Sequence, residues 1–345
     1  MPLAIGTMIA GYRIEGVLGA GGMGTVYLAR HPTLPRSDAL KILSAELSLD
    51  RQFRTRFTRE ADLAATLNHP NIVRVYDRGT TDDGLLWIAM EYVEGIAVSD
   101  LNWPDLTPAR VVRIIGDVAT ALDYAHGRGV LHRDIKPANF LVSAPGTDHE
   151  RVLLADFGIA RAADDATALT GTGLLVGTAA YAAPEAIEGG RPVDHRADIY
   201  SLGCTLFRLL TGRTPYDDGS GSLRVIATGH LMRPIPRPSE HTPGLPTAID
   251  DVITRALAKD PNDRFQSATA LAAATAAALA NTTGLSTPAA GPQTKSWTPP
   301  ALSYPTTPPP APPTISGPPV AGISGPSHSA GTANAHSSPA APLWP

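Results

Sequence analysis

With a single cysteine, Cys204, the chain has no partner for an internal disulfide, so no covalent staple shapes the fold and a reducing compartment suits it. That cysteine lies in an apolar stretch, where a buried structural thiol is expected. Charge is sparse too: 32 acidic residues face 28 basic ones for a formal charge of -4. No long Lys/Arg run of the kind that grips a phosphate backbone occurs, which excludes a nucleic-acid partner. Strongly apolar runs are also missing, since a membrane span needs ~20 such residues. The longest weakly polar stretch, Ala268 to Ala280, is mostly alanine and reads as a packed last helix. Met1 to Ala10 lacks the basic start and sustained apolar stretch of a secretory signal, so a cytoplasmic location is expected.

What the chain does have is 43% apolar content over 345 residues, enough to bury an ordinary core divided between two lobes. After an extension, residues 1–11, the segment 12–94 reads as strand-rich. Tyr12 to Leu18 and Thr25 to Arg30 flank a glycine turn, followed by Ala39 to Leu43, Ile72 to Tyr76 and Leu86 to Glu91; these predict a small antiparallel sheet. Between them Phe53, Phe57, Glu60, Ala64 and Leu67 share one helical face, so a glutamate lies on the inward stripe. Residues 95–281 read as mostly helical, with helices predicted over Pro108 to His126, Ala197 to Leu210, Ala248 to Leu257 and Ser267 to Ala280. Thr107-Pro108 is a good start for the first of these. The last 64 residues, 282–345, hold 16 prolines and one charged residue, Lys295; such a tail cannot bury a core and is expected to be disordered or extended.

Several strings carry chemistry. Gly19-Ala20-Gly21-Gly22-Met23-Gly24-Thr25-Val26 fits G-x-G-x-x-G-x-V, in which missing side chains let the backbone lie over phosphates. A dinucleotide-binding turn has a similar string but opens a helix, whereas here Tyr27-Leu28-Ala29 continues as a strand. Lys41 follows on the next strand, and an inward Glu60 and a sheet lysine explain each other as an ion pair. Further on stand His132-Arg133-Asp134-Ile135-Lys136-Pro137-Ala138-Asn139, then Asp156-Phe157-Gly158 and Ala183-Pro184-Glu185.

In this order the strings resemble those of protein kinases of the serine/threonine type, and most closely the bacterial eukaryotic-like kinases, particularly those of actinobacteria. The resemblance covers about residues 12 to 280. It implies an α+β, two-lobed protein kinase fold with a small β-rich N-lobe, a larger helical C-lobe and a disordered Pro-rich tail. It further implies ATP and Mg2+, with Mn2+ as a substitute, and protein substrates phosphorylated on Ser or Thr. By that resemblance Asp134 takes the substrate hydroxyl proton, Lys136 meets the transferring phosphate, and Lys41, oriented by Glu60, holds the α and β phosphates. Asn139 and Asp156 hold the metal. Gly19, Gly21 and Gly24 cover the phosphates. Leu18, Val26, Ala39 and Leu141 wall the adenine, Met90 is the gatekeeper, and the Glu91 carbonyl and Val93 amide meet the base edge. His132 packs on Phe157, Asp198 holds the catalytic loop, and Arg264 pairs with Glu185. One departure stands out: the lysine strand usually reads V-A-x-K, and here Asp38 takes the apolar place.

Arg133, directly before the base, implies regulation by a phosphate on the activation segment. Thr167, Thr170 and Thr172 are the expected sites of autophosphorylation, and Thr178 belongs to the substrate-binding face. The rival reading is an inactive kinase-fold scaffold that uses its tail, yet lysine, base and metal aspartate are all present. Pro308 to Pro313 suits a proline-reading partner, although a spacer role is the simpler one. Relatives pair through the small lobe, so a transient homodimer is expected. Membrane members of the family place a span after such a linker; membrane association is expected only if a segment beyond Pro345 carries an anchor.

Overall fold

The computed structural model describes residues 2–157, 179–190 and 192–280. The small lobe is one antiparallel sheet of β1 (Met8–Ile9), β2 (Tyr12–Gly21), β3 (Gly24–Arg30), β4 (Ser37–Leu43), β5 (Val75–Thr80) and β6 (Leu86–Glu91), in the order β1-β2-β3-β4-β6-β5. Alternation along β4 sends Leu40 and Ile42 to a cluster with Tyr12, Ile14, Tyr27 and Trp87. Ala39 and Leu43 join the main core on the opposite face, the face Lys41 shares by strand periodicity. The strand expected over Ile72 to Tyr76 begins only at Val75. Ile72 instead forms an isolated parallel bridge with Leu154, because residues 71–73 spend their backbone groups on the large lobe.

Between β4 and β5 lie α1 (Ala45–Leu49) and α2 (Arg51–Ala65). Asp50 starts α2 by accepting the amides of Gln52 and Phe53 at 2.7 and 3.1 Å, as a cap residue should. Phe53, Phe57, Ala61 and Ala64 form its buried stripe.

Past residue 94 comes a sheet that the mostly helical expectation omitted: β7 (Gly95–Ala97), β8 (Phe140–Ser143) and β9 (Arg151–Leu154). Strands of three and four residues are too short to show a period. Helix α3 (Pro108–His126) starts where Thr107 accepts the Arg110 amide at 3.3 Å. It is followed by α4 (Pro184–Glu188), α5 (His195–Thr211), α6 (Leu223–Met232), α7 (Pro238–His241), α8 (Ala248–Ala256) and α9 (Ala268–Leu279). Helix α5 is buried nearly all round, Cys204 included. Burial pushes that thiol far up from its ordinary pKa, in keeping with an inert structural cysteine.

Two polar ties hold this lobe together. Glu185 and Arg264 form a two-pronged, fully buried ion pair at 2.7 and 2.8 Å, as expected from the resemblance. Asp123 on α3 caps α9 across 145 positions, accepting the amides of Ala268 at 2.8 Å and Thr269 at 3.0 Å. No helix among the described residues is long and apolar enough to cross a membrane. The tail expectations, Pro308 to Pro313 among them, lie outside the described residues.

Candidate active site

The β2–β3 hairpin closes where Gly21 pairs with Gly24. Gly24 has φ +146°, and a Cβ there would come 2.1 Å from the Ile42 carbonyl oxygen. Only glycine lets the hairpin lie this close to β4. Beneath it opens a cleft of about 350 Å³. Leu18, Val26, Ala39 and Leu141 supply apolar walls; Gly19, Met90, Glu91 and Val93 also line it. Gly21, Gly24 and Lys41 are not part of that lining. Sequence reading missed the lining residues Ile96 and Ala97, because β7 was not anticipated, and Asp100 in the turn that follows it.

At the inner end the charged groups gather. Asn139 donates its side-chain amide to Asp134 twice, to the carbonyl oxygen at 2.7 Å and to Oδ2 at 3.1 Å. Lys136 Nζ sits 2.8 Å from the same Oδ2. With its amide nitrogen spent on Asp134, the Asn139 side chain keeps its amide oxygen as a neutral oxygen donor, and Asn139 and Asp156 line the same cleft. Two oxygen donors and no third carboxylate or imidazole suit a hard cation that keeps its other positions for phosphate and water. Among the described residues no cluster of three His, Cys, Asp or Glu fit for a metal occurs.

Asp198 holds the loop that carries these groups. Its Oδ2 accepts the His132 amide at 2.8 Å and its Oδ1 accepts the Arg133 amide at 2.7 Å, while His126 Nε2 lies 2.8 Å from Oδ2. Burial alone would raise the Asp198 pKa, but His126 and the amide donors outweigh it and hold the carboxyl below its ordinary value. This grip stabilises Arg133 at φ +65°, a left-handed conformation that costs a non-glycine residue ~1–2 kcal/mol. Asp156 is similarly left-handed at φ +61°. His132 is fully buried; its Nδ1 accepts the Asp134 amide at 3.2 Å and its Nε2 faces the Ala155 carbonyl at 2.9 Å. Burial pushes its pKa down, so the ring stays neutral with the proton on Nε2. Its ring packs on Phe157 at 4.7 Å between centroids.

One expected pairing is absent. Lys41 Nζ lies 2.8 Å from Asp156 Oδ2, and Glu60 faces Arg133 at 3.8 Å; Lys41 and Glu60 make no ion pair. Burial would raise the Asp156 pKa, but the Lys41 charge and hydrogen bond prevail and lower it. Lys41 therefore takes the carboxylate inside its own cleft, and Glu60 takes the guanidinium that the left-handed Arg133 presents to α2. Asp38, the departure from V-A-x-K, is buried and answered by Arg36, whose Nε is 2.9 Å away. Arg36 in turn lies over the Tyr76 ring at 4.1 Å. Gly158, Thr167, Thr170, Thr172 and Thr178 lie outside the described residues, and with them the regulatory role expected of Arg133 toward a loop phosphate.

The protein kinase domain family matches residues 12–274. Among curated proteins, the chain is 53% identical over 344 residues to the serine/threonine-protein kinase PknJ of Mycobacterium tuberculosis, covering 99% of this chain and 55% of that protein. It is 50% identical over 270 residues to the serine/threonine-protein kinase PknF of the same organism, covering 77% of this chain and 56% of the relative. The chain thus spans about half the length of these relatives. Among solved structures, the M. tuberculosis PknI kinase domain superposes with a TM-score of 0.65 at 41% identity, covering 81% of this chain and 100% of that one.

Proposed function

The chain belongs to the protein kinase family, whose members use ATP and a divalent cation, and we propose that it transfers the γ-phosphoryl group of ATP to Ser and Thr hydroxyls of proteins, its own activation segment included. The observation that carries the reading is that Asn139 and Asp156, which line the apolar cleft, each hold a further charged group, Asn139 contacting Asp134 with its partner Lys136, and Asp156 contacting Lys41. Homologues named as serine/threonine kinases at 50 and 53% identity support it.

In this reading the adenine lies between Val26 and Ala39 above and Leu141 below, its edge against the Glu91 carbonyl and Val93 amide. Asp134 accepts the proton of the attacking hydroxyl; the Asn139 amide donated to its Oδ2 aims the other carboxylate oxygen. Lys136, now paired with Asp134, moves its charge onto the phosphoryl oxygens as negative charge spreads there. Lys41 leaves Asp156 for the α and β phosphates. A divalent cation held by the Asn139 amide oxygen and the Asp156 carboxylate would neutralise charge on the phosphates. The protein's work is positioning and charge stabilisation, since the transferring group needs little covalent help.

Incubating wild-type and Asp134→Asn protein with labelled ATP and magnesium, followed by phosphosite mapping, tests this. Label on the wild type alone, at Thr170 or Thr172, is the expected result. Label on neither protein, with no rise in melting temperature on adding MgATP, would reverse the reading in favour of an inactive scaffold.

A further inference from the structure

Just before β5, the chain is pinned to β9. Val73 donates its amide to the Leu154 carbonyl at 3.0 Å, Leu154 donates to the Asn71 carbonyl at 2.8 Å, and the Asn71 side chain donates to the Val152 carbonyl at 2.8 Å. This pairing fixes two arginines, Arg74 and Arg151, each one residue beyond it. Between them lies a second cavity of about 240 Å³, which shares only Glu91 with the cleft described above.

Its lining is rich in donors. Arg74 and Arg151 both reach it, and the arginine ion pairs formed among the described residues involve other arginines. His69 accepts the Asn71 amide on Nδ1 at 3.1 Å, which leaves the proton of the neutral ring on Nε2. Tyr76 brings a hydroxyl that makes no hydrogen bond to another protein group among the described residues, and its ring is backed by Arg36. Against these stands one carboxylate, Glu91, drawn toward the Arg74 main-chain amide at 3.4 Å. Asp117 lies close enough to feel Arg151 but forms no ion pair with it. Two arginines outside any ion pair among the described residues, with two neutral donors, outnumber what one carboxylate can accept; a phosphate dianion, with three terminal oxygens, matches them. The volume is several times the ~30 Å³ share of one water, room for the phosphate and the carbon that bears it.

We propose that this cavity, formed by His69, Arg74, Tyr76 and Arg151 beside the hinge, binds the phosphate of a phosphorylated Ser or Thr side chain presented by a polypeptide. The choice of a phosphorylated hydroxyl rests on the activity proposed above, whose products carry that group. A phosphate there joins Arg74 of the small lobe to Arg151 of the large one. Through Glu91, the wall common to both cavities, occupancy bears on the hinge.

The test is fluorescence anisotropy, without nucleotide, using a labelled glycine–alanine peptide carrying one phosphothreonine. Its unphosphorylated twin and inorganic phosphate serve as competitors. The wild type is expected to prefer the phosphopeptide at least tenfold over both. Arg74→Gln and Arg151→Gln should each weaken it tenfold or more, and Glu91→Gln should tighten it. A MgATP-induced rise in melting temperature in both arginine variants shows that they are folded. Binding unchanged in both arginine variants belongs to another surface and overturns the site, as does inorganic phosphate competing on equal terms. Phosphopeptide binding through Arg74 and Arg151 by a chain that transfers no phosphate would defeat the kinase reading alone; phosphate transfer by a chain that does not bind the phosphopeptide, or binds it without need of either arginine, would defeat this site alone.

Discussion

Lys41 and Asp156, 115 positions apart, meet at 2.8 Å across the cleft and neutralise each other. The two charges proposed to act on opposite partners, one on phosphate and one on a cation, are thus stored against each other. On the proposed reading, binding a magnesium nucleotide would exchange this pair for two new ones, Lys41 with phosphate and Asp156 with the cation.

The Arg133–Glu60 contact is a restraint of small size. At 3.8 Å, with side chains 31% and 22% exposed, such a pair is worth ~0–1 kcal/mol. Arg133→Gln in phosphate-free protein should therefore raise basal transfer by no more than about fivefold, by releasing Glu60 toward Lys41. Initial rates of peptide phosphorylation measure it; a fall in rate would show that Arg133 serves the unphosphorylated enzyme directly.

Glu185 and Arg264 are a different case because both are buried. Removing one partner strands a buried charge, so Glu185→Gln or Arg264→Met should cost about 3–5 kcal/mol in urea unfolding. Replacing both by apolar residues should cost less than the sum. Strict additivity would mean that the pair contributes nothing as a pair.

Gly24→Ala places a methyl against the Ile42 carbonyl in a backbone conformation that strains side chains by ~1–3 kcal/mol. The hairpin should lift, raising the KM for ATP several-fold while Asp134 and its neighbours keep their arrangement. Equal KM values in the two proteins would show that the turn adapts.

His230 on α6 predicts an acid-side loss of stability. Burial chiefly, with Lys259 nearby, lowers its pKa from 6.5 to about 3, and its Nδ1 lies 2.8 Å from the Tyr200 hydroxyl. The unfolded chain takes up the proton first, so the neutral ring's contribution is intact above pH 6.5 and is lost as pH falls toward 3, at up to ~1.4 kcal/mol per pH unit. Urea midpoints between pH 7 and 4 should fall less steeply for His230→Gln than for the wild type.

The contiguous strings were the legible part. Asp134, Lys136 and Asn139 lie within six residues, so their mutual contacts follow from a short loop. The Lys41 partner was not legible: sequence supplies Glu60, Asp156 and Arg133, but which carboxylate meets which cation depends on the placement of α2 and on the handedness of Arg133. Asp38 stands out in sequence as a departure from the apolar pattern, and its partner Arg36, two residues earlier, is not announced by any motif. Arg74 and Arg151 share a cavity only because residues 71–73 pair with β9, a tertiary event no local pattern announces.

The cap that Asp123 places on α9 sets an order of assembly. Helix α3 leaves the ribosome long before Ala268 and Thr269 exist, so one of its carboxylates waits in water for a partner still unmade. Domains complete during synthesis only when their last contacts emerge, and here a closing contact spans most of the lobe. A nascent chain stopped short of α9 would expose the flank of α3 to proteases, and resistance should appear abruptly once residue 279 is free.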